Sequence, residues 1–296
     1  MMNWQHDRRG RKGLLRRSIL KGVVALGVAT LLMASYAGPA SAQSLIDKIK
    51  SGETIRIGFS NEMPWAYPGQ NGEPFGFVNK MAIDLLKKLG ATKIEPVVTD
   101  WGSLVPGLQA GRFDIITGGM FITPERCRNV LFSEPLGKFG GALLVAKGNP
   151  ENLHSYEDVR DKGLVFTAAS GWLAIKAAKD IGIPDDKIME VAGTTEVVQA
   201  VKVGRAAAAG GDYLTLTKYI DENSAVELAH PFQDPLPLGY PALAFLPDQQ
   251  DTVDAFNAAL KEYAGSAQMM EAVSKYGYTE KQLPQGGKTT AELCRG

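Results

Sequence analysis

The chain has 296 residues, 45% hydrophobic and 22% charged, with 32 basic residues balanced by 32 acidic ones. The balance is uneven: residues 1–42 carry seven of the basic residues and one acidic, so the rest holds 25 against 31, a net charge of −6. A mildly acidic body without a basic run excludes nucleic acid and anionic membrane as expected partners, and about 250 residues of this composition bury a core readily.

Arg8, Arg9, Arg11, Lys12, Arg16 and Arg17 open the chain as a basic region. The apolar stretch 22–36 is too short and too rich in Gly and Ala for a comfortable membrane span, and Ala40-Ser41-Ala42 has the small-x-small cleavage pattern. Residues 1–42 therefore read as a removable export signal, with the mature chain starting near Gln43. Arg16-Arg17-Ser18-Ile19-Leu20-Lys21 is similar to a twin-arginine signal, although ordinary signals also contain Arg pairs. No lipobox cysteine follows it, so a lipid anchor is not expected. The expected compartment is the periplasm.

Alternation over residues 54–59 predicts a first strand, and Gly69 with Asn71-Gly72 predicts a turn or hairpin over 67–72. Met81, Leu85, Leu86 and Leu89 share one helical face, predicting a helix over 79–89 that Gly90 ends. Strands follow at 94–98 and 113–117, separated by a short helix at 103–110. Lys147-Gly148-Asn149-Pro150 has the composition of a crossover into a second set of elements. That set has helices at 155–160, 173–181, 195–203 and 212–221, with strands at 164–168, 190–192 and 206–210. The Pro-rich stretch 231–241 leads to a strand at 242–245, and helices at 252–264 and 266–276 return to the first set. Strand–helix alternation of this kind predicts mostly parallel sheets with helices on their faces.

Cys127 and Cys294 admit either a disulfide, which an exported chain permits, or two separate thiols. No paired-Cys metal spacing occurs, His154 and His230 fall in expected loops, and neither a metal nor a cofactor is expected. Ala168-Ala169-Ser170-Gly171-Trp172 lacks the glycines of a nucleophile elbow, and Gly286-Gly287-Lys288-Thr289 lacks the upstream glycine of a phosphate loop.

Phe121-Ile122-Thr123-Pro124-Glu125-Arg126, then Phe132-Ser133-Glu134-Pro135, resembles the polar amino-acid-binding family of ABC-transporter periplasmic proteins. Trp101-Gly102-Ser103-Leu104, the run from Gly107 to Asp114, and the turn from Asn71 to Phe77 resemble further blocks of that family, in the same order. The resemblance implies an α/β, two-lobed periplasmic binding protein (Venus-flytrap) with two crossover strands at the hinge. Residues 43–145 and 241–296 would form lobe 1, and residues 146–240 lobe 2. It also implies an ABC permease as partner and a monomer that opens and closes around its ligand.

In that family the residue corresponding to Arg126 forks onto the ligand's carboxylate. Asp212 stands where the family places an acid for the ligand's ammonium, and a helix N-cap is an equally mechanical role for it. Phe121 replaces the family's small hydroxyl residue, Glu62 precedes Trp65 by three, and Trp101 follows the second strand. Three aromatics after three parallel strands meet at one sheet edge, where rings favour a spread or shielded cation. This set resembles the ectoine/hydroxyectoine-binding subgroup: Glu62 for the ring nitrogens, Trp65, Trp101 and Phe121 for a box, Arg126 for the carboxylate. Cys127 and the segment around Cys294 are similar to that subgroup too. Ser170 with Trp172, where the family has a threonine, and Thr194 and Thr195 complete the expected ligand-binding set. Trp172 either caps the box or fills space. The competing readings are an enzyme on the same fold, similar to periplasmic cyclohexadienyl dehydratases with Glu62 as general acid, and a sensory or accessory binding protein.

Overall fold

The structure is a computed structural model and describes residues 43–296; the expected export signal lies outside the described residues. The chain begins with α1 (Leu45–Lys50) and β1 (Thr54–Phe59), followed by the short hairpin β2 (Tyr67–Pro68) and β3 (Pro74–Phe75). Next come α2 (Phe77–Lys88), β4 (Lys93–Val98), α3 (Leu104–Gln109), β5 (Ile115–Phe121), α4 (Pro124–Cys127) and β6 (Leu131–Phe132). Then follow β7 (Gly141–Ala146), α5 (Tyr156–Asp161), β8 (Phe166–Ala169), α6 (Leu173–Ile181), β9 (Ile188–Val191), α7 (Thr194–Lys202) and β10 (Ala208–Asp212). The last elements are α8 (Tyr213–Thr217), β11 (Val226–Leu228), β12 (Pro241–Phe245), α9 (Gln250–Tyr263), α10 (Ala267–Ser274) and α11 (Thr290–Arg295).

Two five-stranded sheets result, one in the order β4-β1-β5-β12-β6 and the other β11-β7-β10-β8-β9. In the first, β1 runs parallel to β4 and β5, so the carboxyl ends of all three open on one edge. In the second, β8 runs parallel to β9 and β10, while β7 runs antiparallel to β10. Helices cover both faces of each sheet. The buried face of α2, from Phe77 through Met81, Leu85 and Leu86, packs with Ile55 and Ile57 of β1, and Leu104 and Leu108 of α3 pack with Ile116 on the other face.

The chain reaches the second sheet at Gly141, ahead of the Lys147–Pro150 turn in which a crossover was expected. Gly141–Ala146 is an uninterrupted apolar run, which a period-based reading does not separate from other buried segments. Lys147–Pro150 is a tight turn instead, with Asn149 at φ 42° and its side chain bonded to Leu153 at both amide ends. The two crossing segments meet where Phe139 and Gly239 exchange backbone hydrogen bonds of 2.9 and 2.7 Å.

Two devices lock the first sheet's periphery. Asp114 accepts from the Arg56 backbone and guanidinium and from Lys48 Nζ, which ties α1 to β1 and the start of β5. Burial alone would raise the Asp114 carboxyl, but these donors hold it below the ordinary range. Cys127 and Cys294 form a disulfide, with Cα atoms 5.7 Å apart, joining α11 to α4 across 167 residues of sequence. A loop of that length restricts the unfolded chain by about 5 kcal/mol in the chain-entropy model. Reduction, or the C127S/C294S double variant, is therefore expected to lower Tm by roughly 10 °C, read by differential scanning calorimetry.

Candidate ligand-binding site

The open edge of the first sheet and the facing edge of the second enclose one cavity. Glu62, Trp65, Trp101, Phe121 and Arg126 line it from the first lobe, and Trp172 and Asp212 line it from the second. Each position has a local cause. After β1 the chain doubles back through a bridge in which Glu62 N–H donates to the Ala66 carbonyl (2.8 Å) and Ala66 N–H returns the bond (3.0 Å). That turn buries both Glu62 and Trp65 to 4% exposure. The Trp65 ring packs against Phe139, Phe77 and Phe121 at centroid separations of 4.4, 4.8 and 5.6 Å. It needs a bare backbone behind it, because a Cβ at Gly119 would lie 2.8 Å from Trp65 Cε3.

Trp101 opens the 3-10 turn after β4, and Phe121 ends β5. The β5 strand runs four residues past the expected end at 117, so Phe121 is the strand's last residue rather than one beyond it. Its ring lies against the backbone of Gly239 on the crossing segment, where a Cβ would stand 2.3 Å from Phe121 Cε2. Arg126 sits in α4, whose Thr123 N-cap accepts the Arg126 N–H at 3.2 Å. Its Nη1 donates to the Phe121 carbonyl (2.9 Å) and its Nη2 to the Gly171 carbonyl (3.0 Å). Two carbonyl anchors fix the plane of the fork while its remaining N–H groups stay available.

From the second lobe, Asp212 ends β10 and caps α8, accepting from Thr215 N–H at 2.8 Å. The helix-cap role is present, and the same carboxylate also lines the cavity. Trp172 likewise lines the cavity and packs against both core faces of its lobe. Thr194 is buried and donates to Glu62 Oε2 at 2.7 Å, so it reaches the site through the acid. Ser170 and Thr195 are not brought to the cavity. Both are exposed, and Ser170 donates outward to Glu190, because the turn after β8 directs its carbonyls and Trp172 inward instead. Sequence reasoning missed Thr215, Phe139, the Gly171 carbonyl and the Gly118-Gly119 pair. Only the glycine pair left a signal, since two glycines inside a buried strand mark a close approach.

The electrostatics divide the cavity. Burial pushes the Glu62 carboxyl up to about 7, Thr194 works against that, and the Asp212 charge adds to it. Burial raises Asp212 as well. Burial pulls Arg126 down to about 10, with only Glu125 opposing. Among the described residues neither acid has a cationic partner and Arg126 has no carboxylate partner. Among them, too, no trio of His, Cys, Asp or Glu gathers to hold a metal.

The family model for bacterial extracellular solute-binding proteins, family 3, matches residues 55–279. The chain belongs to that family. A probable amino-acid ABC transporter periplasmic-binding protein of Sinorhizobium fredii is 38% identical over 279 residues, covering 92% of this chain and 91% of the relative. Among solved structures, EhuB in complex with hydroxyectoine superposes with a TM-score of 0.77 at 28% identity, covering 85% of this chain and 99% of EhuB. The ancestral amino-acid-binding protein AncCDT-1, described as a precursor of cyclohexadienyl dehydratase, superposes with a TM-score of 0.70 at 30% identity, covering 79% and 99%. This family 3 solute-binding protein thus has the two-lobed periplasmic-binding-protein fold, and its role is substrate binding of the ABC-transporter kind.

Proposed function

We propose that this solute-binding protein works in the periplasm after removal of its leader. There it encloses a compact zwitterion as a monomer and delivers it to an ABC permease in the inner membrane. Ectoine and hydroxyectoine are the first candidates, within the broader class of polar amino acids and their cyclic relatives. The observation that carries the reading is the unpaired charge of the cavity: two acids and one arginine, each without an opposite charge of its own. Buried charges are costly unless paired, so the ligand that completes this site brings a cation to Glu62 and Asp212 and an anion to Arg126. Trp65, Trp101 and Phe121 supply ring faces, each contributing roughly 0.5–2 kcal/mol to a cation, most where water is excluded. The hydroxyectoine in EhuB supports the same chemistry. In this reading Glu62 takes the ring nitrogens, Arg126 the carboxylate, and Asp212 and Trp172 close over the box.

The test is a thermal-shift screen of residues 43–296 against ectoine, hydroxyectoine, proline betaine, glycine betaine and the common amino acids. At a hundredfold excess over Kd the true ligand adds about 2.7 kcal/mol, a rise in Tm of roughly 5–10 °C. Stabilisation by ectoine-like compounds alone is the expected result. Stabilisation by ordinary amino acids alone would replace the cage by Asp212 as the main cation site.

One observation favours a second reading. A carboxyl near 7 suits a general acid, and AncCDT-1, itself an amino-acid-binding protein, is described as the precursor of a dehydratase on this fold. We read the chain as a binder rather than an enzyme, because a carboxylate awaiting a cationic ligand accounts for Glu62 without any reaction. Turnover of a cyclohexadienyl acid by the purified protein would reverse that assignment.

A further inference from the structure

The Trp65 indole N–H is committed across the cleft. It donates to Thr215 Oγ1 at 2.7 Å and, more weakly, to Asp212 Oδ1 at 3.2 Å, both in the other lobe. The Thr215 N–H in turn donates to the same Asp212 Oδ1 at 2.8 Å. The result is a short relay across the cleft: one indole N–H of the first lobe is held by the fully buried Thr215 hydroxyl and by the capping carboxylate of the second, and the Thr215 N–H ties those two acceptors together. Every bond in it joins protein to protein.

We infer that Trp65, Thr215 and Asp212 form a latch that holds the two lobes closed, with Thr215 as its positioning residue, so that the closed form is populated without ligand. Three features support this. An indole N–H is a donor only, and the aromatic packing that buries Trp65 leaves Thr215 as its well-aligned acceptor. Opening the lobes would break that bond and expose the Trp65 edge together. Asp212 commits Oδ1 to the relay and to the α8 cap, which fixes its rotamer and leaves the second oxygen for the cavity. The latch therefore builds the cation site as it closes the clamp. The inference rests on the two-lobed clamp of the proposed function but not on the identity of the ligand.

The test uses the ligand-free mature protein, so its failure and that of the zwitterion reading are separate. Hydrogen exchange of the Trp65 indole N–H, followed by NMR, is compared in wild type, Thr215→Val and Thr215→Ser. Valine keeps the shape and removes the acceptor; serine restores the hydroxyl. The expected result is exchange at least about tenfold faster in Thr215→Val, matching the loss of one buried hydrogen bond, and near wild type in Thr215→Ser. Equal exchange in wild type and Thr215→Val, or a serine variant as fast as valine, would overturn the latch. Should ectoine bind, its dissociation is expected to quicken by a similar factor in Thr215→Val, with association little changed.

Discussion

Arg126→Ala is expected to weaken capture of the zwitterion by about three orders of magnitude while leaving the protein folded. Truncating one partner of a desolvated, hydrogen-bonded charge pair costs about 2–5 kcal/mol, chiefly because the other charge is left unpaired. Here the effect should sit high in that range. The guanidinium is already oriented by the Phe121 and Gly171 carbonyls, so it meets a carboxylate with little further loss of freedom. The cost to folding is small because two opposing effects are removed together. The variant loses those two carbonyl bonds, and it also loses the burial cost that pulls Arg126 below its ordinary range. Calorimetric titration with the ligand found by thermal shift reads the first effect, and Tm of the ligand-free variant reads the second. Arg126→Lys should recover only part of the affinity, since a point charge cannot reproduce the planar fork. Affinity unchanged in Arg126→Ala would remove the carboxylate from this end of the cavity.

Ligand affinity is also expected to rise with pH up to about 7 and then level off. In the ligand-free protein the Glu62 carboxyl is pushed up to about 7 from its ordinary 4.5, first by burial and then by facing Asp212. Between those values the folded protein binds more protons than the unfolded chain. Its stability therefore falls as pH rises through that window, by an amount on the order of 3 kcal/mol. A cation delivered to Glu62 reverses the effect by favouring the carboxylate, so binding below pH 7 expels a proton, shared in practice between Glu62 and Asp212. The slope should approach tenfold in Kd per pH unit near pH 5.5. Titrations in buffers of different ionisation enthalpy would count the proton released. Glu62→Gln should flatten the profile and weaken binding at neutral pH. A profile already flat in wild type would place the cation elsewhere.

The ends of β1 and β4 were legible because strand patterning is local, the end of β5 was misplaced by four residues, and parallel strands deliver their downstream loops to one edge. Glu62, Trp65, Trp101 and Phe121 meet at the cavity for that reason. Arg126 was legible through the resemblance of the Thr123-Pro124-Glu125-Arg126 run to its family. Thr215 was not, since a threonine inside a short helix carries no pattern that announces a partner 150 residues away. Ser170 and Thr195 failed for a related reason: a hydroxyl near a cleft is a matter of side-chain direction, which the turn after β8 and the first turn of α7 decide. The β7 strand escaped because six apolar residues in a row, the middle four of them buried, have no period to read.

The contact between Gly239 and Phe121 joins two parts of the molecule usually thought of separately. Gly239 belongs to the segment about which the lobes swing, and Phe121 is a wall of the cage, with no side chain between them to absorb movement. The pivot is thus geared directly to the ring. A change in swing angle turns the wall, and a bulkier occupant that turns the wall resets the angle. Selectivity in such a clamp is tuned at the fulcrum as well as at the jaws, and drift in the crossing segment could alter what the protein accepts while every charged group in the cavity stayed the same.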